Sequence, residues 1–310
     1  MTTTMNAAPR IALAPMLPEP DDRDHAVSTS DVSEAYAKAT SRELMPWQRE
    51  THGPATATVD DKWSAREVAI VKPRQQGATE LGLLRMLFGL VTHDERQLYT
   101  AHSQDEAHNS FVRLIEMIRN YPALDSRVRS ITRSRGSECI TLRSGAFASF
   151  RTRGGANLRI SELDLSVNDD AEMLTDAMYV DIALMHTVSK NPQTWFIGTP
   201  PTEPLRTRVD PQSMHDAGRP LTRLRNAALS GEDRTLLYIE YSADDTRDDD
   251  GRLLVDTSSD AVALAANPAA GHIIDPSIFA RERQMMPRAM YESQRLGIGY
   301  WPSLDDKAEQ

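Results

Sequence analysis

The stretch from Glu67 to Leu90 limits the possible folds more than any other part of this chain. It opens on "EVAIV" (67–71), whose Val68, Ile70 and Val71 are β-branched, as in a strand covered on both faces. Directly after it comes "KPRQQGAT" (72–79), and then "ELGLLRMLFGL" (80–90), apolar enough for a helix packed against a sheet. Strand, short loop and helix in that order is the setting in which backbone amides cradle phosphate groups. The loop pattern for that task is G-x-x-x-x-G-K-[ST], with a lysine to neutralise the phosphates and a hydroxyl to hold Mg²⁺. Here Gly77 and Thr79 stand in place, Ala78 occupies the lysine position, and Lys72 stands where the first glycine would be. The residues alone leave two readings open. Either the phosphate site has decayed, or the long lysine stem reaches the phosphates from the front of the loop, with Arg74 as a second cation.

A chain of 310 residues holds one large α/β domain with attachments, or two small ones. The single cysteine, Cys139, excludes an internal disulfide, and no Cys/His spacing fits zinc, so a reducing compartment is expected. There is no run of about 18 apolar residues, so no membrane-spanning helix is expected. The N-terminal stretch lacks a basic start followed by an apolar core, which argues against a secretion signal. With a net charge of −10, any contact with DNA has to come from a local patch rather than from the overall field.

Residues 1–30 are rich in Pro, Thr and Asp without a period, and a mobile leader is expected over 1–40. An α/β core is expected over 41–230 and a C-terminal lid or linker over 231–310. Strand candidates at 67–71, 97–101, 138–142, 147–150, 158–161 and 194–198 alternate with helical runs, the pattern of a sheet covered by helices. A helix is expected from Ser103, whose pairing with Glu106 makes a capping box; Phe111, Leu114, Ile115 and Ile118 then share one face. A second helix is expected over 170–186, with Asp169 and Asp170 near its positive end. The acidic stretch 244–260 reads as a solvated excursion, and a last helix is expected with Asp275 as its cap and Pro276 at its first position.

The segments "LMPWQRE", "KPRQQGAT", "LYTAHSQDEA", "LRISELD", "WFIGTPPT", "YIEYSADD", "ANPAAGHI" and "RLGIGYWP" lie in this order between about residues 44 and 302. In content and order the series resembles the large subunit of tailed-phage terminases, the DNA-packaging motor. Some members of that family carry a deviant loop with its lysine at the front, as here. The resemblance implies a P-loop NTPase-type α/β fold: a mostly parallel central sheet flanked by helices, with a small C-terminal helical or linker segment. It implies ATP and Mg²⁺ as ligands. Gln48, Lys72, Arg74, Gln75, Gln76, Gly77, Ala78 and Thr79 become the nucleotide-binding candidates, with Gln48 at the adenine edge. In the family an apolar strand ends in Asp-Glu; laid on "LRISELD", this puts Ser161 at the aspartate position and makes Glu162 the base that orients water. Mg²⁺ would then be held by Thr79 with Ser161 or Asp164, and Thr199 of "GTPPT" would relay hydrolysis to motion. For Trp47 a role as a core anchor is the simpler reading.

Eight arginines lie between residues 127 and 159, opposed only by Glu138. Two readings stand side by side: a phosphate-facing surface, or ordinary hairpin arginines paired elsewhere. Arg133, Arg135, Arg151 and Arg153 are the candidates for DNA contact or for reaching a neighbouring subunit's nucleotide. His102, His108 and His186 have no partner at ligand spacing and read as packed or solvated, and Met285–Met286 as packing.

The resemblance further implies double-stranded phage DNA, a portal protein and a small terminase subunit as partners. It implies a homo-oligomeric ring on the portal, in the host cytoplasm and with no membrane. A nuclease domain follows the motor in that family, whereas Asp305, Asp306 and Glu309 lie too near the end of this sequence to build a two-metal site. No nuclease activity is therefore expected of these residues, and cutting would fall to a separate nuclease chain or to residues beyond a trimmed end. The function expected is an ATP-hydrolysing packaging motor. The alternatives are a catalytically silent scaffold of the same fold, which Ala78 and Ser161 favour, and a helicase-like ATPase.

Overall fold

The computed structural model describes residues 7–14, 29–153, 160–202, 216–302 and 304. Its strands are β1 (Ile11–Leu13), β2 (Thr58–Val59), β3 (Lys62–Trp63), β4 (Glu67–Val71), β5 (Arg96–Ala101), β6 (Val128–Thr132), β7 (Cys139–Leu142), β8 (Phe147–Thr152), β9 (Leu165–Asn168), β10 (Gln193–Gly198) and β11 (Leu236–Glu240). Its α-helices are α1 (Thr29–Thr40), α2 (Pro46–Ala55), α3 (Ala78–Thr92), α4 (Gln104–Arg119), α5 (Pro122–Asp125), α6 (Asp176–Met185), α7 (Arg219–Ser230), α8 (Asp260–Ala266), α9 (Ile278–Met285) and α10 (Arg288–Leu296).

One sheet dominates, in the order β1-β11-β4-β10-β9-β5-β8-β7-β6. From β11 to β8 neighbouring strands are parallel. The edges are antiparallel, β1 against β11 on one side and β7 and β6 on the other. The continuous apolar run of β4 has its cause in this position: Val68 and Ile70 face a layer containing α3 and α4, while Ala69 and Val71 face the layer of α6 and α7. Helix α3 sits close on the sheet because Gly82 has no side chain; a Cβ there would lie 2.8 Å from Ile197 Cδ1 and 3.0 Å from Val167 Cγ1. At the far end of α3 the fully buried Arg85 makes two 2.8 Å bonds to Glu95 and one to Gln193.

Helix α4 starts as its sequence dictates, with Ser103 Oγ accepting from the Glu106 amide and the Glu106 carboxylate accepting from the Ser103 amide, each at 3.2 Å. Helix α6 starts later than expected, at Asp176 with Thr175 as cap, after a single 3-10 turn at Ala171–Met173. Helix α9 starts at Ile278, because the Asp275 side chain accepts from the Ser277 amide at 2.9 Å in a turn of its own. Between 244 and 260 the acids also close local turns, as Asp244 does with Thr246 and Asp256 with Ser258.

Three expectations change. Residues 158 and 159 of the strand candidate at 158–161 lie outside the described residues, and Ile160 and Ser161 are not in a strand; the strand of this region is β9. Strand β11, between the edge strand β1 and β4, lies beyond residue 230, so the C-terminal segment contributes to the sheet as well as covering it. Within 1–40, β1 pairs with β11, and Tyr36 and Ala39 of α1 are buried. Among the described residues no helix is long and apolar enough to cross a membrane.

Candidate active site

The loops that follow β4, β9 and β10 meet at one end of the sheet, where α/β folds hold their ligands. The turn after β4 enters α3 through Gln75 at φ 65° and Gly77 at φ 82°, both left-handed. Side chains from elsewhere hold it. Gln48 of α2 accepts from the Met45 amide and donates to the Gly77 carbonyl, both at 2.9 Å. Buried Gln76 donates to the Arg74 carbonyl at 2.9 Å and to Asn267 Oδ1 at 2.7 Å, and accepts from the Ala269 amide at 2.9 Å. Arg295 of α10 donates to the Arg74 carbonyl at 3.1 Å and pairs with Glu282 of α9. The "ANPAAGHI" and "RLGIGYWP" segments thus brace the loop from behind. In that bracing Gln48 uses its oxygen and one of its two N–H donors.

Lys72, the residue that follows β4, is 8% exposed. Burial pulls its ammonium below the ordinary value, and Asp169, Glu172 and Asp170 act in the opposite sense. Its amide donates to the Gly198 carbonyl at 3.1 Å, which pins the loop to β10. Arg74 spans the same acids, 3.3 Å from Asp170 and 3.1 Å from Glu172. Ala78 is buried at the first position of α3.

Thr79 Oγ1 donates to Asp169 Oδ2 at 2.7 Å. Asp169 is the residue after β9, and Asp170 beside it takes the left-handed conformation at φ 50°. Both acids are held through their carbonyls by Arg153, buried at the end of β8, which also donates to the Thr100 carbonyl at 3.2 Å. Glu172 is 2% exposed; it accepts from Arg74 on one oxygen and from the Thr199 amide on the other, at 3.0 Å. Burial pushes its carboxyl above the ordinary value, with Arg74 and Lys72 opposing and Asp170 adding to the shift. Thr199 therefore joins the cleft through its main chain.

Ser161, Glu162 and Asp164 do not. They precede β9, at the end of the sheet away from the loop. Gln193 stands opposite Leu165 and Gly198 opposite Val71, so five residues of strand, roughly 16 Å at about 3.3 Å each, separate the two levels. Glu162 pairs with Arg96 there, and Asp164 takes two bonds from the same guanidinium, at 2.8 and 3.0 Å. Ser161 is exposed. The acids that do reach the loop are Asp169, Asp170 and Glu172. The signal for them was an acid pair closing "LDLSVN", partly hidden because Ser166 and Asn168 interrupt the apolar run.

The arginine cluster divides. Arg133 is exposed, with its guanidinium 5.9 Å from the Phe111 ring, and Arg135 is exposed and paired with Asp105. Arg151 donates to the Glu138 and Phe150 carbonyls at 2.8 and 2.7 Å, so it and Arg153 are spent inside the fold. Arg159 lies outside the described residues. His108 bonds buried Glu138 at 3.2 Å, and His186 bonds Ser166 at 2.8 Å. Among the described residues no three or more His, Cys, Asp or Glu side chains are grouped to hold a metal, so a cation here would need ligands from a phosphate as well.

Gly77→Ala tests the loop geometry. A Cβ at Gly77 would lie 2.8 Å from Met45 Cε and 3.2 Å from Gln48 Nε2, on a backbone that disfavours any side chain. About 1–2 kcal/mol of strain is expected, read as a melting temperature a few degrees lower together with weaker nucleotide binding.

The sheet and its loop define an α/β fold of the P-loop NTPase type. More narrowly, the fold is that of the ATPase part of phage large terminases. The large terminase of bacteriophage HK97 superposes with a TM-score of 0.69 at 18% identity, covering 87% of this chain and 55% of that one. The large terminase of a thermophilic bacteriophage gives 0.51 at 13%, covering 84% and 54%. The large terminase ATPase domain of Thermus phage P74-26 gives 0.51 at 13%, covering 86% and 98%. The chain thus spans about half the length of the first two of these proteins. Neither a protein-family model nor a curated protein matches the sequence.

Proposed function

We propose that this chain is the ATP-hydrolysing motor part of a phage terminase that packages DNA into a procapsid. The observation that carries the reading is that Thr79 meets Asp169, and Arg74 meets Asp170 and Glu172, at the carboxyl ends of β4, β9 and β10, beside Lys72, the buried residue that follows β4. A lysine buried at this position carries a desolvation cost, which Asp169, Glu172 and Asp170 offset in part and a bound phosphate would offset further. The residues present fit Mg²⁺ bound with a triphosphate: a hydroxyl and a carboxylate in contact, two cations, and a loop that enters a helix start. Thr79 and Asp169 would hold the ion, which supplies charge neutralisation on the phosphates when bound.

The roles move accordingly. Lys72 and Arg74 neutralise the phosphates in place of the missing lysine. Glu172 replaces Glu162 as the base. It orients a water whose oxygen attacks the γ-phosphorus, takes the water's proton, and the bond to the β-phosphate oxygen breaks to leave ADP and phosphate. Asp169 replaces Ser161 and Asp164 at the metal. Thr199, tied by its amide to Glu172, passes a change at that carboxylate to Pro201, whose carbonyl accepts from the Tyr300 amide at 2.6 Å. Double-stranded DNA, the portal, the small subunit and a ring of copies are the partners this reading calls for. Of the four arginine candidates Arg133 and Arg135 are exposed, and this reading gives to them the contact with DNA or with a neighbour's nucleotide.

Calorimetric titration with a non-hydrolysable ATP analogue and Mg²⁺, followed by phosphate-release measurements, tests the reading. Metal-dependent binding and turnover are expected. Silence at millimolar nucleotide would instead support a catalytically silent scaffold, the reading Ala78 favours.

A further inference from the structure

Tyr99 is 1% exposed, in the middle of β5, and no step above uses it. Its hydroxyl donates to Asp169 Oδ2 at 2.6 Å, and the same oxygen accepts from Thr79 at 2.7 Å. The Tyr99 oxygen in turn accepts from Ser110 Oγ of α4 at 3.0 Å. The ring packs against Phe150, with centroids 5.3 Å apart, so the hydroxyl has little freedom to swing. A chain of donors therefore runs from α4 through β5 to the carboxylate after β9, and meets the first turn of α3 there. The other carboxylate oxygen, Oδ1, accepts from the Asp170 amide at 3.1 Å.

We propose that Tyr99, set by Ser110, is a positioning residue that fixes the Asp169 carboxylate so that Thr79 presents its hydroxyl oxygen to a divalent cation. The reasoning is one of hydrogen-bond direction. A threonine hydroxyl has one hydrogen and two lone pairs. While Asp169 Oδ2 takes the hydrogen, the lone pairs stay turned toward the phosphate side of the loop. A carboxylate that rotates about its side-chain bonds loses that control, and Tyr99 supplies a second donor to the same oxygen that opposes rotation. Burial of the pair keeps water from competing for the same oxygen. The assignment rests on the nucleotide reading given above, and it concerns metal affinity rather than phosphate affinity, which Lys72 and Arg74 would supply.

The test is Tyr99→Phe, which keeps the ring and removes one oxygen, with Ser110→Ala as a milder companion. Mn²⁺ binding to the intact chain is measured by electron paramagnetic resonance in the presence of ADP, and ADP binding is measured separately without metal. Loss of one charge-assisted bond predicts roughly tenfold to hundredfold weaker Mn²⁺ in Tyr99→Phe, a smaller loss in Ser110→Ala, and unchanged metal-free ADP affinity. Equal weakening of both ligands would make Tyr99 merely structural and overturn the assignment, as would an unchanged Mn²⁺ affinity. A wild-type chain without metal-dependent nucleotide binding would overturn the nucleotide reading itself.

Discussion

Lys72→Ala is expected to remove most ATP turnover, by roughly 10²–10³-fold in kcat/KM, the loss seen when one donor of a preorganised anion site is deleted. The magnitude follows from the position of the ammonium. It is buried, so solvent screens it little, and Ala78 leaves the loop without the lysine that would otherwise share its task. Arg74 remains in Lys72→Ala, but its guanidinium already bridges Asp170 and Glu172 and has less charge to offer an incoming phosphate. Nucleotide affinity should fall along with turnover, because phosphate charge is present in the ground state as well as the transition state. Lys72→Met is the control, since it keeps the unbranched stem and removes only the charge. If turnover and affinity survive both substitutions, the front-of-loop lysine is not the cation of this site.

The loop was legible because everything that marks it is local. An unbroken apolar strand, a glycine in a left-handed turn and an apolar helix follow one another within 67–90, and the structure places β4 and α3 there. The acids were harder to find. Ser166 and Asn168 are fully buried polar residues in β9, which hides the strand from a hydrophobic pattern. They are tolerated because His186 bonds Ser166, Thr100 bonds Asn168, and Asn168 reaches the Trp195 carbonyl. None of those partners is a sequence neighbour. "LRI" ahead of "ELD" imitates the expected strand and acid more closely than the true pair does, and pattern reading followed the imitation. The bracing of the loop by Asn267, Ala269 and Arg295 is likewise set by chain topology, some two hundred residues from Gln76.

The same contrast supplies the second large effect, a comparison of Glu172→Gln with Glu162→Gln. Glutamine at 172 can still accept from Arg74 or from the Thr199 amide, so the fold and nucleotide binding should hold. What it cannot do is take a proton from water, and loss of a positioned base costs typically 10²–10⁴-fold in rate. The signature should be a collapse of kcat with KM nearly unchanged, as for an interaction made only in the transition state. Glu162→Gln should leave both constants within about twofold, the scale of a surface ion-pair change of a few tenths of a kcal/mol. Its carboxylate pairs with Arg96 at the far end of β9, and Asp164 continues to hold that guanidinium when it is gone. The opposite outcome, with Glu162 essential and Glu172 dispensable, would require the water to be activated a full strand length from Lys72 and Thr79, and would break the site described here.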